Sequence, residues 1–246
     1  MNVNVMNNEK VKLQGPAYYT DCYKWWELNH CKSAFESSEY TQVVSSKFSR
    51  MPFWGEMACV DLESHKTFEE YFSSLSKNVK RDILESRSKH LFEEFNINDF
   101  VYDFSEINHT QNKKKGSINK WYLQDPNNFL GCNYGPHEWE DENHYSKWFG
   151  VFKYMKHYKQ GELTTNKKLL AYCRLCVDGE MACISLIWGH AGYMKDGVIF
   201  NLIASVVESS FVLDKVKCVL YYAINGKNAW KRRIGFRPVS IEIQGT

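Results

Sequence analysis

Residues 218–243 read CVLYYAINGKNAWKRRIGFRPVSIEI. An apolar run typical of a buried strand meets an Asn-Gly turn at Asn225 and Gly226. A short basic helix follows, ends at Gly235 and Phe236, and is succeeded by an alternating, strand-like run. The order strand, helix, Gly-Phe, strand predicts the closing part of a mixed sheet whose other strands come earlier in the chain.

A hairpin and an apolar helix precede this stretch. Asp178 and Gly179 separate two strand-like runs, 167–177 and 180–189, and Asp-Gly in that setting is the strongest local signal for a β-hairpin. Alternation predicts two opposite faces for the first strand: Ala171, Cys173 and Leu175 on one, Tyr172, Arg174 and Cys176 on the other. A glycine-rich loop over 189–197 then leads to an apolar helix over 198–213.

The first part of the chain has a less regular pattern. The sequence predicts a helix over 18–31, strands over 40–48 and 55–63, and one or two helices over 68–92 capped by Thr67. A short strand or turn and a helical turn are predicted over 99–116, an irregular loop over 124–145, and a helix over 146–161.

Composition places the chain among globular proteins. It has 246 residues, of which 43% are hydrophobic and 15% aromatic, and a net charge of +2 that argues against an extensive nucleic-acid coat. Polar N-terminal residues indicate no signal peptide, and no apolar run approaches the ~18 residues of a membrane span. The eight cysteines are therefore expected to be reduced thiols of a cytoplasmic protein without membrane insertion.

The order of elements resembles the GNAT acyltransferase superfamily. Its closing half matches the hairpin 168–189, the loop 190–196, the helix 198–213, the strand 216–224 and the short helix 228–236. Three motifs are similar to the Fem-type and BioF2-like branch: FEEYFSSLSKNVKRDILESR at 68–87, INHTQNKKKG at 107–116 and AWKRRIGF at 229–236. The resemblance implies an α/β (α+β) fold with a GNAT-like mixed central sheet flanked by helices. Residues 1–15 are then a flexible tail and 16–246 a single domain, of which 67–246 carries the resemblance.

The resemblance implies transfer of an activated acyl group, from acyl-CoA or aminoacyl-tRNA, onto an amine. One alternative is a GNAT-fold enzyme that modifies a nucleic-acid base, similar to the phage Mom family. Another is an inactive scaffold that only binds a ligand. Either a tRNA donor or a DNA substrate would make nucleic acid a partner.

Donor-binding residues are expected where the glycine-rich loop enters the long helix. Acetyl-CoA enzymes carry Arg/Gln-x-x-Gly-x-Gly/Ala there, and this chain has GHAGYMKDG instead. Backbone amides can still hold a phosphate, which makes Gly192, Lys195, Asp196 and Gly197 candidates, although a tight turn needs the same glycines. Asp196 also fits the N-cap of the helix. Asn228, at the start of the short basic helix, is a further candidate implied by the resemblance.

Three residues are candidates for catalysis. His190 follows the hairpin and is a possible base, although a histidine in a loop often bonds to backbone. Lys231 stands four residues before Gly235, where many GNAT enzymes have a tyrosine that protonates the leaving thiolate. Tyr222 is a possible acid; it alternates with Tyr221, so only one of the two faces the cleft.

Other polar clusters have simpler explanations. Cys173 and Cys176 should face opposite sides of a strand, and the HEWEDENHY loop at 137–145 lacks a framework, so no metal is expected. Basic groups recur along the chain and either form a solvated face or steer an anion: Arg81, Lys113, Lys114, Lys115, Lys231, Arg232 and Arg233. Four tryptophans either stack on bases or fill the core: Trp121, Trp139, Trp148 and Trp188.

Overall fold

The computed structural model describes residues 10–13, 57–115, 120–129, 144–178, 181–213, 216–223 and 226–243. Within these ranges the strands are β1 (Lys10–Leu13), β2 (Met57–Asp61), β3 (Leu91–Glu94), β4 (His144–Gln160), β5 (Leu163–Asp178), β6 (Met181–Gly189), β7 (Cys218–Ala223) and β8 (Arg237–Ile243). The helices are α1 (Phe68–Ser74), α2 (Lys77–Lys89), α3 (Val101–Lys115) and α4 (Val198–Ser210). Short 3-10 helices cover Glu63–His65, Ile97–Phe100, Lys120–Leu123, Pro126–Phe129, Ala191–Asp196 and Gly226–Ile234.

The described strands form one mixed sheet in the order β1-β8-β2-β7-β6-β5-β4-β3. Strands β3 to β6 are antiparallel neighbours, β6 and β7 are parallel, and β2 pairs antiparallel with both β7 and β8. Strand β1, which lies within the predicted tail, runs parallel to β8 at the edge. The predicted mixed sheet flanked by helices is confirmed. None of the helices in the described ranges is both long and apolar enough to span a bilayer.

The β5–β6 hairpin forms where the Asp-Gly signal predicts it. Asp178 pairs with Met181, so the antiparallel ladder continues up to a two-residue connection. The predicted alternation holds, because Ala171, Cys173 and Leu175 pack in one hydrophobic cluster while Tyr172 packs in another. Each cluster lies on one side of the sheet.

Helices cover both faces of the sheet. The larger cluster contains Val79 and Ile83 of α2 and Leu202 of α4, and the smaller contains Phe104 of α3, stacked on Tyr172 with ring centroids 4.5 Å apart. A fully buried side chain of this kind contributes ~1.5–3 kcal/mol through its burial alone. The sheet is therefore packed against helices on both sides.

Helix α1 begins as predicted. The Thr67 side chain accepts a hydrogen bond from the Glu70 backbone N–H and caps the helix. The helix ends at Ser74, because the backbone of Leu75 is extended, and α2 begins at Lys77. The helical turn predicted within 99–116 is instead the whole of α3, Val101–Lys115. Polar residues such as Asp103 and Asn108 interrupt its apolar pattern because they face buried polar partners.

The helix predicted over 146–161 is wrong, because these residues belong to β4. Phe149 and Val151 pack on one face of the sheet, and Trp148 and Phe152 pack on the other. A strand buried on both faces reads as a continuous apolar run without clean alternation. Pairing with β3 on one side and β5 on the other decides the conformation. The helix and strand predicted over 18–31 and 40–48 lie outside the described residues.

Candidate active site

The parallel strands β6 and β7 form a fork. They pair over three positions, from Met181 with Cys218 to Cys183 with Leu220, and the described strands share no register beyond that point. Strand β6 nevertheless continues to Gly189 and β7 to Ala223. The middle of the sheet is therefore open between the carboxyl ends of these two strands.

A bulge in β6 accounts for the fork. Arg174 of β5 pairs with Leu186 and Leu175 pairs with Ile184, so Ser185 is the extra residue. Its Oγ donates a hydrogen bond to the Arg174 carbonyl over 3.1 Å. A bulge bends its strand and increases the local twist, which here turns β6 away from β7 immediately after their last pair.

A pocket of about 280 Å³ occupies the fork. Its walls come from α3, β6, α4, β7 and two 3-10 helices, Ala191–Asp196 and the basic Gly226–Ile234. They include Gln111, Trp188, Met194, Phe200, Tyr221 and Trp230. None of the described residues that line the pocket is charged. Apolar, aromatic walls exclude water and suit an acyl group, while the cleft between strands leaves room for the backbone to bind a carbonyl.

Lys231 closes the inner end of the fork. Its side chain is 2% exposed, and Nζ donates a hydrogen bond to the Tyr221 carbonyl over 2.7 Å. Nζ also lies 3.7 Å from the centroid of the Tyr221 ring. Tyr221 directly follows Leu220, the last paired residue of β7, so Lys231 satisfies a carbonyl beside the point where the strands part.

Burial gives Lys231 an unusual acidity. Desolvation lowers the pKa of Lys231 to about 7, and the nearby Cys183 side chain opposes this shift. Burial acts in the opposite direction on the neighbouring phenol and raises the pKa of Tyr221. A lysine that exchanges its proton near neutral pH is suited to acid–base chemistry.

The arginines beside Lys231 lie at the surface. Arg232 and Arg233 are both exposed. The Arg233 guanidinium carbon lies 5.1 Å from the centroid of the Phe200 ring, which lines the pocket. Arg233 thus places a positive charge beside a pocket residue at the surface, whereas Lys231 is buried against Tyr221.

His190 acts as a cap in this structure. Its Nδ1 accepts a hydrogen bond from the Gly192 backbone N–H, and Nε2 lies 3.0 Å from Glu106 Oε1. The Nδ1 lone pair is therefore occupied, and the proton on Nε2 points to the carboxylate. His190 would have to break the cap to accept a proton, so its role as a base stays a prediction.

Glu106 is part of a polar network that the sequence did not single out. Its carboxylate accepts hydrogen bonds from Lys168 Nζ at 2.7 and 2.9 Å in addition to the contact with His190. Burial raises the pKa of the Glu106 carboxyl, but the hydrogen bonds and charges of Lys168 and His190 outweigh it and hold the pKa below its ordinary value. Gln111 also belongs here, since its side-chain amide donates to the Gly189 carbonyl. Both residues lie within 99–116, the segment that the sequence marked only by its helical turn and basic end.

The glycine-rich loop forms a turn against α2. Gly197 has φ +70°, and a Cβ there would lie 2.7 Å from the Asp82 carbonyl oxygen. Only glycine fits this position, which also lines the pocket. Gly192 and Lys195 are exposed on the loop. The N-cap predicted for Asp196 is wrong: Gly197 is the N-cap of α4, without a side-chain cap bond, because its left-handed backbone makes the turn into the helix.

Several predicted residues fall outside what the structure describes. The side chains of Tyr222, Asn228 and Lys113–Lys115 lie outside the described residues, as do Trp139 and most of the 137–145 loop. Trp148 is buried and Trp188 lines the pocket. Arg81 pairs with Asp82 and Glu85 on the surface of α2. Within the described ranges, no three His, Cys, Asp or Glu side chains gather as a metal site would require.

Comparison with solved structures identifies the fold. The chain is similar to FemX, with a TM-score of 0.56 over 75% of this chain and 59% of that chain, at 9% identity. It is also similar to the C-terminal domain (DUF2156) of a lysylphosphatidylglycerol synthetase from Agrobacterium fabrum, at 13% identity and a TM-score of 0.47 over 75% and 58% of the two chains. No protein-family model and no curated protein matches the sequence. The chain spans about 59% of the length of FemX, and the likeness shows a GNAT-like fold.

Proposed function

We propose that this protein transfers an activated acyl or aminoacyl group onto an amine at the fork between β6 and β7. The observation that carries the proposal is the fork itself, an aromatic pocket of about 280 Å³ between two parallel strands of a GNAT-like sheet. The FemX-like fold supports the same class of reaction. The donor is acyl-CoA or aminoacyl-tRNA, and the acceptor is a small or macromolecular amine.

The pocket is suited to hold the acyl group of the donor. Trp188 and Tyr221 line it from the two strands, and Trp230 and Phe200 line it from the flanking helices. The backbone of β6 beyond Cys183 no longer pairs with β7, so its N–H groups are placed to receive the carbonyl oxygen of the donor. Backbone N–H groups that are fixed in this way stabilise, by hydrogen bonding, the negative charge that develops on the carbonyl oxygen.

The proposed acyl transfer has two steps, addition of the amine to the carbonyl and departure of the leaving group. The neutral amine attacks the carbonyl carbon of the donor, a carbon–nitrogen bond forms, and a tetrahedral intermediate results. The bond to the leaving group then breaks, releasing the thiolate of CoA or the ribose oxygen of tRNA. The ammonium proton of the attacking nitrogen must leave, and the leaving group must gain a proton.

Lys231 is the candidate for this proton balance. It lies beside Tyr221 at the closed end of the fork, and a pKa of about 7 allows it to hold or release a proton at neutral pH. Its positive form would also stabilise the charge of the leaving group. The Tyr221 hydroxyl has a raised pKa and stays protonated at neutral pH, which makes it a hydrogen-bond donor in the pocket.

Positive groups at the rim would bind the phosphates of the donor. Arg233 lies next to the pocket residue Phe200, and Lys195 is exposed on the loop that contributes Met194 to the pocket. In aminoacyl-tRNA the nearest phosphate is one ribose away from the activated carbonyl, whereas in acyl-CoA the pantetheine chain separates the phosphates from the thioester. The first turn of α4 adds backbone N–H groups on the same side.

The aromatic lining also favours a second candidate, in which the acceptor is a nucleic-acid base. Trp188, Tyr221 and Trp230 offer flat faces on which a base can stack. An acyl group found on DNA after incubation with donor would support this alternative.

A donor panel tests the proposed function. Purified protein is incubated with acyl-CoA or aminoacyl-tRNA and a mixture of amines, and products are identified by mass spectrometry. Transfer from either donor that is lost in Trp188→Ala but kept in the surface variant Arg81→Gln supports the proposal. A protein that binds neither donor and transfers nothing, while remaining folded, would show a scaffold without this activity.

A further inference from the structure

The middle of the sheet carries cysteines on the face opposite the larger hydrophobic cluster. The chain neighbours of these cysteines, such as Leu175 and Val177 on either side of Cys176, pack in that cluster, so the sulfurs point the other way. The strands β5, β6, β7 and β2 are neighbours in the sheet and contribute one residue each: Cys176, Cys183, Cys218 and Cys59. All are buried thiols in this structure, and the proposed acyl transfer uses none of them.

Cys176 and Cys183 lie directly opposite each other in the β5–β6 ladder. Opposed residues of an antiparallel pair point to the same face, with Cα atoms ~4.5 or ~5.5 Å apart and Cβ atoms ~4.5–5.5 Å apart. A disulfide needs Cα atoms ~4.4–6.8 Å and Cβ atoms ~3.5–4.5 Å apart. The backbone spacing therefore already suits a disulfide, and a small approach of the two side chains completes it.

The other described cysteines have no cysteine opposite them. Their ladder partners are Ile187 for Cys173, Met181 for Cys218 and Leu220 for Cys59. Residues that are offset diagonally on neighbouring strands lie ~7–8 Å apart, which is too far for a disulfide unless the backbone moves. Within the described part of the chain, Cys176 and Cys183 are therefore the pair that is placed for a disulfide.

This pair lies at the base of the fork. Cys183 is the last residue of β6 that pairs with β7 in the described strands, opposite Leu220. The Cys176 thiol donates a hydrogen bond to the Ser185 hydroxyl over 3.6 Å, and Ser185 in turn donates to the Arg174 carbonyl over 3.1 Å. Ser185 is the bulge that turns β6 away from β7, so the Cys176 thiol supports the bulge through this hydrogen bond.

Lys231 lies close enough to Cys183 to interact with its charge. Burial lowers the pKa of Lys231 and Cys183 opposes this shift, so the Lys231 ammonium and a Cys183 thiolate stabilise each other. The thiolate is the form of cysteine that reacts with oxidants, and nearby cations favour it. Cys176 is 5% exposed and Cys183 is 7% exposed, which admits a small oxidant such as a peroxide but not a protein.

We propose that Cys176 and Cys183 form a redox site, in which a peroxide converts the two thiols into a reversible cross-strand disulfide that alters the Ser185 bulge. The Cys183 thiolate attacks one oxygen of the peroxide, the O–O bond breaks, and the sulfur becomes a sulfenic acid while the released hydroxide takes up a proton. The Cys176 thiol then attacks this sulfur, the S–S bond forms, and water leaves with the thiol proton. The two thiols lose two electrons in total, and the peroxide takes both.

The disulfide acts on the fork through Ser185. Its formation removes the proton that Cys176 donates to the Ser185 hydroxyl, and it draws β5 and β6 together immediately beside the bulge. A cross-strand disulfide that needs this approach is strained and therefore easily reduced, as regulatory disulfides are. The inference goes beyond the proposed function, because it concerns the shape of the fork under oxidation and holds for any ligand of the pocket.

Peptide mapping after treatment with hydrogen peroxide tests the site. The folded protein is treated, the peroxide is removed with catalase, and the remaining thiols are alkylated in denaturant before trypsin digestion. The tryptic peptide 175–195 contains Cys176 and Cys183 and no other cysteine, and the peptide 169–174 contains only Cys173. We expect 175–195 to lose the mass of two hydrogen atoms and both alkyl labels, about tenfold faster than Cys173 loses its label. Dithiothreitol should reverse the change.

Single variants separate the roles of the two thiols. Cys176→Ser removes the thiol that resolves the Cys183 sulfenic acid, so this acid should accumulate and react with dimedone. Cys183→Ser should not form the disulfide. Cys218→Ser, which changes a buried thiol on the same face of the sheet, is the matched control and should form the disulfide as the wild type does.

Amide hydrogen exchange tests the effect on the fork. Exchange of 184–189, the part of β6 beyond its last pair with β7, should become at least about threefold faster in the oxidised wild type and stay unchanged in peroxide-treated Cys183→Ser. Two results would overturn the inference: two alkylated cysteines in 175–195 at every peroxide concentration at which the protein stays folded, or a disulfide that leaves this exchange unchanged. Neither measurement uses an acyl donor, so failure of the proposed function would leave both results as they are.

Discussion

The 3-10 helix at Gly226–Ile234 and the end of the β4–β5 hairpin, residues 153–168 and here called the arm, are both rich in basic residues. They place these cations in opposite environments. Lys231 is 2% exposed and bonds to the protein's own backbone at the Tyr221 carbonyl. Lys153, Lys156 and Lys159 are exposed and pair with no described carboxylate. One region directs its charge inward and the other presents it to the solvent.

Because of this difference, the two groups of lysines should have electrostatic effects that depend on different variables, pH for one and salt for the other. A buried lysine changes its proton affinity, so its effects should follow pH near 7 and respond little to salt. The charges of the exposed lysines act through the solvent, so their effects should follow the salt concentration. The same residue type is therefore expected to respond to pH in the fork and to salt on the arm.

The largest effect is expected from Lys231→Met. Removing a preorganised cation that stabilises developing charge should slow acyl transfer ~10²–10³-fold. The readout is single-turnover kinetics with the donor that the wild type accepts. Arg232→Met, which removes an exposed cation of the same 3-10 helix, is the matched control and should remain close to wild type. Equal losses of transfer rate in both variants would contradict the different roles of the buried Lys231 and the exposed Arg232.

The contribution of Lys231 to stability should rise with pH. An unfolded lysine binds its proton up to pH ~10.4, whereas the folded Lys231 releases it near 7, so between these values the unfolded state binds more protons at this site. Relative to Lys231→Met, the wild type should therefore gain on the order of 3 kcal/mol of unfolding free energy from pH 7 to pH 10, and the penalty should be fully present below pH 7. The comparison cancels the buried Cys173 thiol, whose pKa burial raises and which acts in the opposite direction. Urea denaturation of the two proteins measures the difference, and the exposed-lysine variant Lys156→Gln should behave as the wild type does.

Gly197→Ala should destabilise the protein more than the substitution of an exposed arm lysine. Its φ of +70° and the Asp82 carbonyl oxygen 2.7 Å from the added Cβ should together cost about 2 kcal/mol of unfolding free energy. Lys156→Ala on the arm should change stability by less than ~0.5 kcal/mol. Thermal denaturation compares the two. A fully stable Gly197→Ala protein would mean that the contact between α2 and the loop does not constrain the pocket.

His190 lies between the two regions and should show a modest effect. Its ring meets Tyr193 at 5.2 Å, close to the base of the arm, and its Nδ1 caps the loop beside the pocket. His190→Ala should cost about 1 kcal/mol of stability, as loss of a cap does. His190→Asn, which keeps an acceptor, should restore stability and most of the transfer rate. A stable but inactive His190→Asn protein would support the catalytic base instead.

The sequence predicted the features that depend on neighbours in the chain. The hairpin at Asp178 and Gly179, the Thr67 cap and the alternation along β5 follow from local turn chemistry, capping and period. The sequence prediction failed for β4, where a helix was expected, because a strand buried on both faces has no clean alternation.

The site itself depended on distant parts of the chain. The fork depends on the register between β5 and β6, where Ser185 bulges, and on the short pairing of β6 with β7. Lys231 was identified by its spacing from Gly235, but its partner at Tyr221 is a tertiary contact that no local pattern contains. From the sequence, Phe200 and Trp230 look like ordinary core and surface positions of their helices. Only the tertiary structure shows that both line the pocket.

A crystal structure with a stable donor analogue tests the central claim most directly. The two analogues are an acyl-CoA with a non-reactive thioether and a short RNA that ends in an amide-linked aminoacyl-adenosine. The account predicts that the acyl group of one of them lies between β6 and β7, against Trp188 and Tyr221, and that the terminal phosphate of a bound RNA analogue lies near Arg233. A bound analogue whose acyl group lies elsewhere, with the fork pocket unchanged, would contradict the account.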